Sequence, residues 1–127
     1  MIKKLGQVMV YVKNQDEAVK FWTEKAGFTV ISEEENGQGM RWIEIAPSSE
    51  AETSIILHDQ ELIAKMQPEL NLGTPSLMFV TDNLDQLHSR LLNKEVTVGD
   101  IVEIPSGRVF NFADSEKNYF AVMEKSE

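Results

Sequence analysis

Hydrophobic and polar positions along the chain alternate in short runs, separated by stretches of helical spacing. Residues 5–12, Leu5-Gly6-Gln7-Val8-Met9-Val10-Tyr11-Val12, are rich in β-branched and aromatic side chains and read as a strand. Asn14 or Gln15 then opens a helix with Asp16 and Glu17 in its first turn, where carboxylates complement the helix dipole. Ala18, Val19, Trp22 and Ala26 recur on one helical face, and Gly27 is placed to end the element. Phe28 to Ile31 reads as strand, Glu33 to Gly39 as a solvated hairpin loop. Residues 40–46 and 53–58 read as two more strands around the polar turn Pro47-Ser48-Ser49. The first half is therefore predicted to be β-α-β-β-β.

The segment from Asp59 to Leu72 reads as a connector in which Leu62, Ile63 and Met66 suit a short helical stretch before Pro68. The earlier order then returns. Residues 76–81 form a strand pattern, and Asp82 or Asn83 can cap a helix that carries Leu84, Leu87 and Leu91 on one side. Val96 to Val98, Arg108 to Phe112 and Tyr119 to Met123 read as strands, with turns at 105–107 and 114–118. The copies also match in detail: Arg41-Trp42-Ile43-Glu44-Ile45-Ala46 is echoed by Arg108-Val109-Phe110-Asn111-Phe112-Ala113. Two copies of this length do not make a solenoid. Two similar modules pairing in one chain can enclose a cleft, a common place for small ligands.

A chain of 127 residues predicts a single domain with its own core. The expected division is module 1 at about residues 1–60, a linker at about 61–73 and module 2 at about 74–125. The composition, 42% hydrophobic and 26% charged, is that of a soluble globular protein, with disorder expected only in the last few residues. No run reaches the length of a membrane span. Met1-Ile2-Lys3-Lys4 leads straight into a strand pattern, so no signal peptide is expected. The chain has no cysteine, which excludes disulfides, thiolate metal sites and a cysteine nucleophile, and suits a cytoplasmic location. A net charge of −9 argues against a nucleic-acid partner. It is compatible with a cationic ligand, though acidity that simply serves solubility is the commoner case.

The chain resembles the vicinal oxygen chelate superfamily, which includes glyoxalases, bleomycin-resistance proteins and extradiol dioxygenases. The resemblance runs from about residue 5 to 125. It rests on Gln7-Val8-Met9-Val10-Tyr11-Val12 followed by Ala18-Val19-Lys20-Phe21-Trp22 and Ala26-Gly27-Phe28, on Phe79 to Asp85, and on the Asp114 to Asn118 turn. That turn is similar to the family's DPDGN turn, with Ser115 and Lys117 in place of proline and glycine. The resemblance implies an α+β fold of two βαβββ modules, each curving a sheet around a shared cleft. Enzymes of the family hold a divalent metal there, on a His or Gln early in each module's first strand and a Glu in each last strand.

Carried onto this chain, those positions are Gln7, Ile56, Ser76 and Ala121. Gln7 is a weak oxygen ligand, Ile56 and Ala121 cannot coordinate, and neutral Ser76 is a poor ligand. The resemblance thus implies no cofactor, with a divalent metal on Gln7, Glu44 and His58 as the alternative. Strand parity places Met9 and Tyr11 with Gln7, Met78 with Ser76, Ser54 and His58 with Ile56, and Tyr119 and Met123 with Ala121. Trp42 and Glu44 alternate on another strand. The expected ligand-binding cleft is therefore Gln7, Met9, Tyr11, Trp42, Glu44, His58, Ser76, Met78, Tyr119, Ala121 and Met123. The same residues could instead pack on one another or on a second subunit. His58 also reads as a plain strand-end residue and His88 as a surface one. Arg41 and Arg108 could anchor an anion, though surface ion pairs are commoner. No nucleophile–base pair is evident, so no catalytic residue is assigned.

The expectation is a metal-free protein that binds or sequesters a small organic ligand, as resistance-type members do, commonly as homodimers. The alternatives are a metal-dependent lyase, isomerase or dioxygenase with an altered ligand set, or an interaction module with a filled cleft. No nucleic-acid or membrane partner is expected.

Overall fold

In a computed structural model, which describes residues 1–125, Asn14 accepts a hydrogen bond from the Glu17 N–H at 3.0 Å and starts the first helix. The elements in order are β1 (Gln7–Val12), α1 (Gln15–Lys20), β2 (Thr29–Glu35), β3 (Arg41–Ala46), β4 (Ser54–Asp59), α2 (Gln60–Met66), β5 (Met78–Val80), α3 (Leu84–Asn93), β6 (Val102–Ile104), β7 (Gly107–Ala113) and β8 (Tyr119–Lys125). The disorder expected for the last few residues concerns positions outside the described range. The chain divides into two compact units, Met1–Thr74 and Pro75–Glu127. Each carries a four-stranded mixed sheet, ordered β1-β4-β3-β2 in the first and β5-β8-β7-β6 in the second. In each, the first strand runs parallel to the last and the other contacts are antiparallel. Parallel pairing needs a crossover. Here the helix and the two intervening strands supply it, which is the βαβββ module.

In the first unit α1 continues into a π-helical stretch, Phe21–Lys25. Phe21 and Trp22 are buried there, and Trp22 lies against Phe21 and Phe28 with ring centroids 5.5 and 4.9 Å away. Gly27 ends the helix at φ +79°, where a side chain would strain the backbone. Val10, Val12, Ile43, Ile45 and Leu57 form the buried side of the sheet. Gln15 ties helix to sheet by donating to the Arg41 and Leu57 carbonyls at 2.6 and 3.0 Å.

In the second unit Asn83 caps α3 by accepting from the Gln86 N–H at 3.1 Å. The helix ends in a Schellman motif: Glu95 N–H reaches Leu92 O and Val96 N–H reaches Leu91 O, both at 3.0 Å. Leu84, Leu91, Val96, Phe110, Phe120 and Val122 are buried. Asp114 closes the β7–β8 turn by accepting from the N–H groups of Glu116 and Asn118. Lys117 takes the left-handed conformation, φ 65°, at the family turn's glycine position.

Three sequence expectations are corrected. The stretch Glu33 to Glu35, expected as loop, extends β2 and pairs as far as Glu35 with Arg41. β2 is an edge strand with its glutamates in solvent, where charge is tolerated and pairing overrides propensity. Val96 to Val98, expected as strand, makes only a single bridge from Val98 to Phe112, and the sixth strand lies at Val102–Ile104. Val96 owes its apolar character to the helix end it covers. β5 is also shorter than the expected 76–81.

Candidate functional site

The open face of the first sheet is a grid fixed by strand register. One row runs Met9, Ile56, Glu44, Ser32, and the next Tyr11, His58, Trp42, Glu34. Gln7 lies beside Ser54 at the grid's edge. A cavity of about 440 Å³ opens on this face, lined by Gln7, Met9, Ser32, Glu34, Met40, Trp42, Glu44, Ile56 and His58. A neighbouring hollow of about 530 Å³ shares Gln7 and Glu44 and adds polar groups such as Lys4, Ser48 and Ser49. Volumes of this order accommodate drug-sized molecules.

A β-bulge builds part of this wall. The register slips at Ile31, between Val30 opposite Ile45 and Ser32 opposite Glu44. One extra residue reverses strand parity. Val30 therefore shares the face of Ile45, while Ser32 and Glu34 turn to the cavity. Sequence reasoning missed Ser32, Glu34 and Met40. It read the acidic run as loop, and no residue type announces the bulge.

Glu44 is held by two hydroxyls. Ser54 Oγ donates to Oε2 at 2.6 Å and Ser32 Oγ to Oε1 at 3.2 Å. Ser54 is buried. His58 stacks on Tyr11, with ring centroids 5.7 Å apart and an interplanar angle of 21°. Burial pushes the His58 pKa below its ordinary value, so the ring is neutral at pH 7. Its Nδ1 is buried and has no hydrogen-bond partner in the structure.

The family's metal is a poor fit to these residues. Ile56, at a ligand position, offers no donor atom, and Glu44 stands opposite it, one strand away from that position. Among the described residues no three His, Cys, Asp or Glu side chains group to hold a metal. Gln7 and His58 alone leave a divalent ion far short of its usual ligands.

Of the expected cleft residues, Gln7, Met9, Trp42, Glu44 and His58 come together in the first unit's cavity, and Tyr11 supports His58. The others lie in the second unit. Met78 pairs with Ala121, Ala121 with Asn111, and Met123 with Val109. Met78 and Tyr119 are exposed, Met123 is buried, and Ser76 precedes the strand. Arg41 and Arg108 are not free anion anchors. Arg41 binds Asp16 and Glu33 at 2.8 and 2.9 Å. Arg108 binds Asp85 and Glu124 at 2.8 and 2.7 Å. Each arginine joins the first turn of a helix to its sheet, and hydrogen bonds from Arg108 hold the Glu124 carboxyl below its usual range. His88 is fixed by the Gly99 carbonyl at 2.9 Å and lies edge-on to Phe110.

The chain is 29% identical over 125 residues to the uncharacterized protein YetH of Bacillus subtilis, covering 98% of this chain and 100% of that one. It is 31% identical over 99 residues to YurT, also uncharacterized and from the same organism, covering 74% and 76%. TnmS3, an antibiotic binding protein from Streptomyces sp. CB03234, superposes with a TM-score of 0.84 and 28% identity, covering 98% of each chain. The sequence profile of one family matches residues 4–122, and on that match the chain belongs to the Glyoxalase/Bleomycin resistance protein/Dioxygenase superfamily.

Proposed function

We propose that this protein binds a small organic molecule on the open face of its first sheet and holds it without a metal and without transforming it. The observation that carries the reading is the cavity wall. Met9, Met40, Trp42 and Ile56 supply apolar and aromatic surface, while Gln7, Ser32, Glu34, Glu44 and His58 supply polar groups without a metal's ligand set. Placed polar groups beside apolar and aromatic surface suit recognition of an organic ligand. Methionines adapt to irregular shapes. Similarity to an antibiotic-binding protein over nearly the whole chain supports the same reading.

The reading keeps Ser76, Met78, Tyr119, Ala121 and Met123 as candidate ligand contacts of the second unit's own sheet. It also includes a cytoplasmic homodimer, the common form of the resistance-type proteins the chain resembles, and a single domain organisation across both modules. No helix among the described residues is long and apolar enough to cross a membrane.

A thermal-shift screen of antibiotic-sized aromatic compounds tests it. A true ligand at a hundred times its Kd stabilises by about 2.7 kcal/mol. Trp42→Ala should remove that gain, and chromatography should return the compound unchanged. A compound converted to product, or about one metal per chain retained after incubation with Zn, Ni, Mn, Fe and Co and desalting, would overturn the reading. Either result would favour a metal-dependent enzyme on Gln7, Glu44 and His58.

A further inference from the structure

Charge on the wall of the 440 Å³ cavity is one-sided: Glu34 and Glu44 line it without a lysine or arginine, and the adjoining hollow adds one lysine, Lys4, and one further carboxylate, Glu52. Arg41, on the same strand as Glu44, is committed to Asp16 and Glu33. Glu44 is held by hydroxyl donors and not by a cation, with Ser54 at 2.6 Å and Ser32 at 3.2 Å. A carboxylate has about four acceptor sites. The serines occupy one on each oxygen, which fixes the rotamer and leaves acceptor capacity free. A charge fixed in advance costs a ligand little reorganisation. Partial removal from water strengthens its pull on an opposite charge.

The surroundings point to what supplies that charge. Trp42 lies two positions along the strand from Glu44, a spacing of about 6.7 Å. Its ring favours a cation or a flat apolar body nearby. His58 is diagonal to Glu44 across the strand pair, about 7 Å away. Its ring lines the same cavity. A bare metal ion finds too few oxygens here, whereas an organic cation brings its own apolar surface to Met9, Trp42 and Ile56.

We infer that Glu44, set by Ser32 and Ser54, is the anchor for an organic ammonium group, and that the ligand is a flat apolar amine seated over Trp42. This rests on the binding function proposed above and specifies its ligand class. The carboxylate stands one strand away from the position where metal-binding relatives are expected to carry theirs.

Three probes sharing one ring system separate charge from shape: 1-naphthylmethylamine, 1-naphthylmethanol and 1-naphthoate. Each is titrated into the protein and into Glu44→Gln, with amide NMR shifts at residues 42, 44 and 58 as the readout. The amine should bind roughly tenfold tighter than the alcohol, the size expected of a charge-assisted hydrogen bond. That preference should vanish in Glu44→Gln, where the amine and the alcohol should bind alike. Equal binding of amine and alcohol, a preference for naphthoate, or an amine preference that survives Glu44→Gln would each overturn the ammonium assignment while leaving organic binding in place. No shifts with any probe would overturn both. If Glu44→Gln does not fold, the salt series on the native protein decides. Added KCl should weaken the amine and spare the alcohol, and a salt-independent amine preference overturns the inference.

Discussion

Ser54→Ala tests whether Glu44 is held as the structure shows it. Ser54 is 7% exposed, so little water can replace its hydroxyl at Glu44 Oε2, 2.6 Å away. A hydrogen bond to a charged group contributes about 1.5–3 kcal/mol. Ser32 is farther, at 3.2 Å, and less buried, so Ser32→Ala should cost only about 0.5–1 kcal/mol. Glu44→Gln removes the charge and turns one acceptor into a donor facing a hydroxyl. The cycle of Ser54→Ala with Glu44→Gln should therefore show a coupling of about 1–2 kcal/mol, within the range for residues in direct contact. Urea unfolding followed by fluorescence and by circular dichroism measures it, provided the two transitions coincide. On thermal melts each kcal/mol corresponds to about 3–6 °C for a chain of this size. A coupling below about 0.3 kcal/mol would mean that the Ser54 hydroxyl points elsewhere in solution, and the fixed-carboxylate argument would fail.

Burial lowers the His58 pKa below the unfolded value near 6.5, so the unfolded chain binds the proton more readily. The stability contributed by the neutral ring is complete above pH 6.5 and is lost as pH falls from there through the folded value. His58→Phe, which keeps a ring against Tyr11, should flatten this part of the profile, and an unchanged slope between pH 6.5 and 5 would count against it. Glu95 sits at φ 63° in the Schellman motif of α3, so Glu95→Gly should stabilise by about 0.5–1 kcal/mol in urea melts; a loss would mean the helix ends differently. Gln15→Ala strips partners from the Arg41 and Leu57 carbonyls and should cost about 1–3 kcal/mol. Its amide exchange should rise at the start of α1, and uniform protection would refute the link.

The module order was legible because it rests on local physics. Val8, Val10 and Val12 alternate with Gln7, Met9 and Tyr11, and only one face of such a strand can be buried. Asn14 and Asn83 are good caps, and both cap. Gln7, Met9, Trp42, Glu44 and His58 were legible through the same parity. What stayed hidden depends on residues far apart in the chain. Glu33 to Glu35 is strand because Arg41 to Ile43 pair with it, not because glutamate favours strands. The end of α3 carries Glu95 where glycine is usual, so the apolar Val96 beyond it looked like the start of a strand. The hydroxyl grip on Glu44 needs the Ile31 bulge, which brings Ser32 to the same face.

The two modules share some features and differ in others. Arg41 and Arg108 occupy equivalent places, and each ties an aspartate two residues after a capping asparagine to the sheet. That wiring links the helix to the sheet in either copy. The open faces differ between the copies. The residue equivalent to Glu44 in the second copy is Asn111, which pairs with Ala121 as Glu44 pairs with Ile56. An amide there carries no net charge, and an alanine beside it offers little surface. The carboxylate, its serines, the tryptophan and the histidine are all peculiar to the first copy. Whatever selects an ammonium group is therefore expected from the first module, and the reciprocal exchange Glu44→Asn with Asn111→Glu should not move the preference to the second.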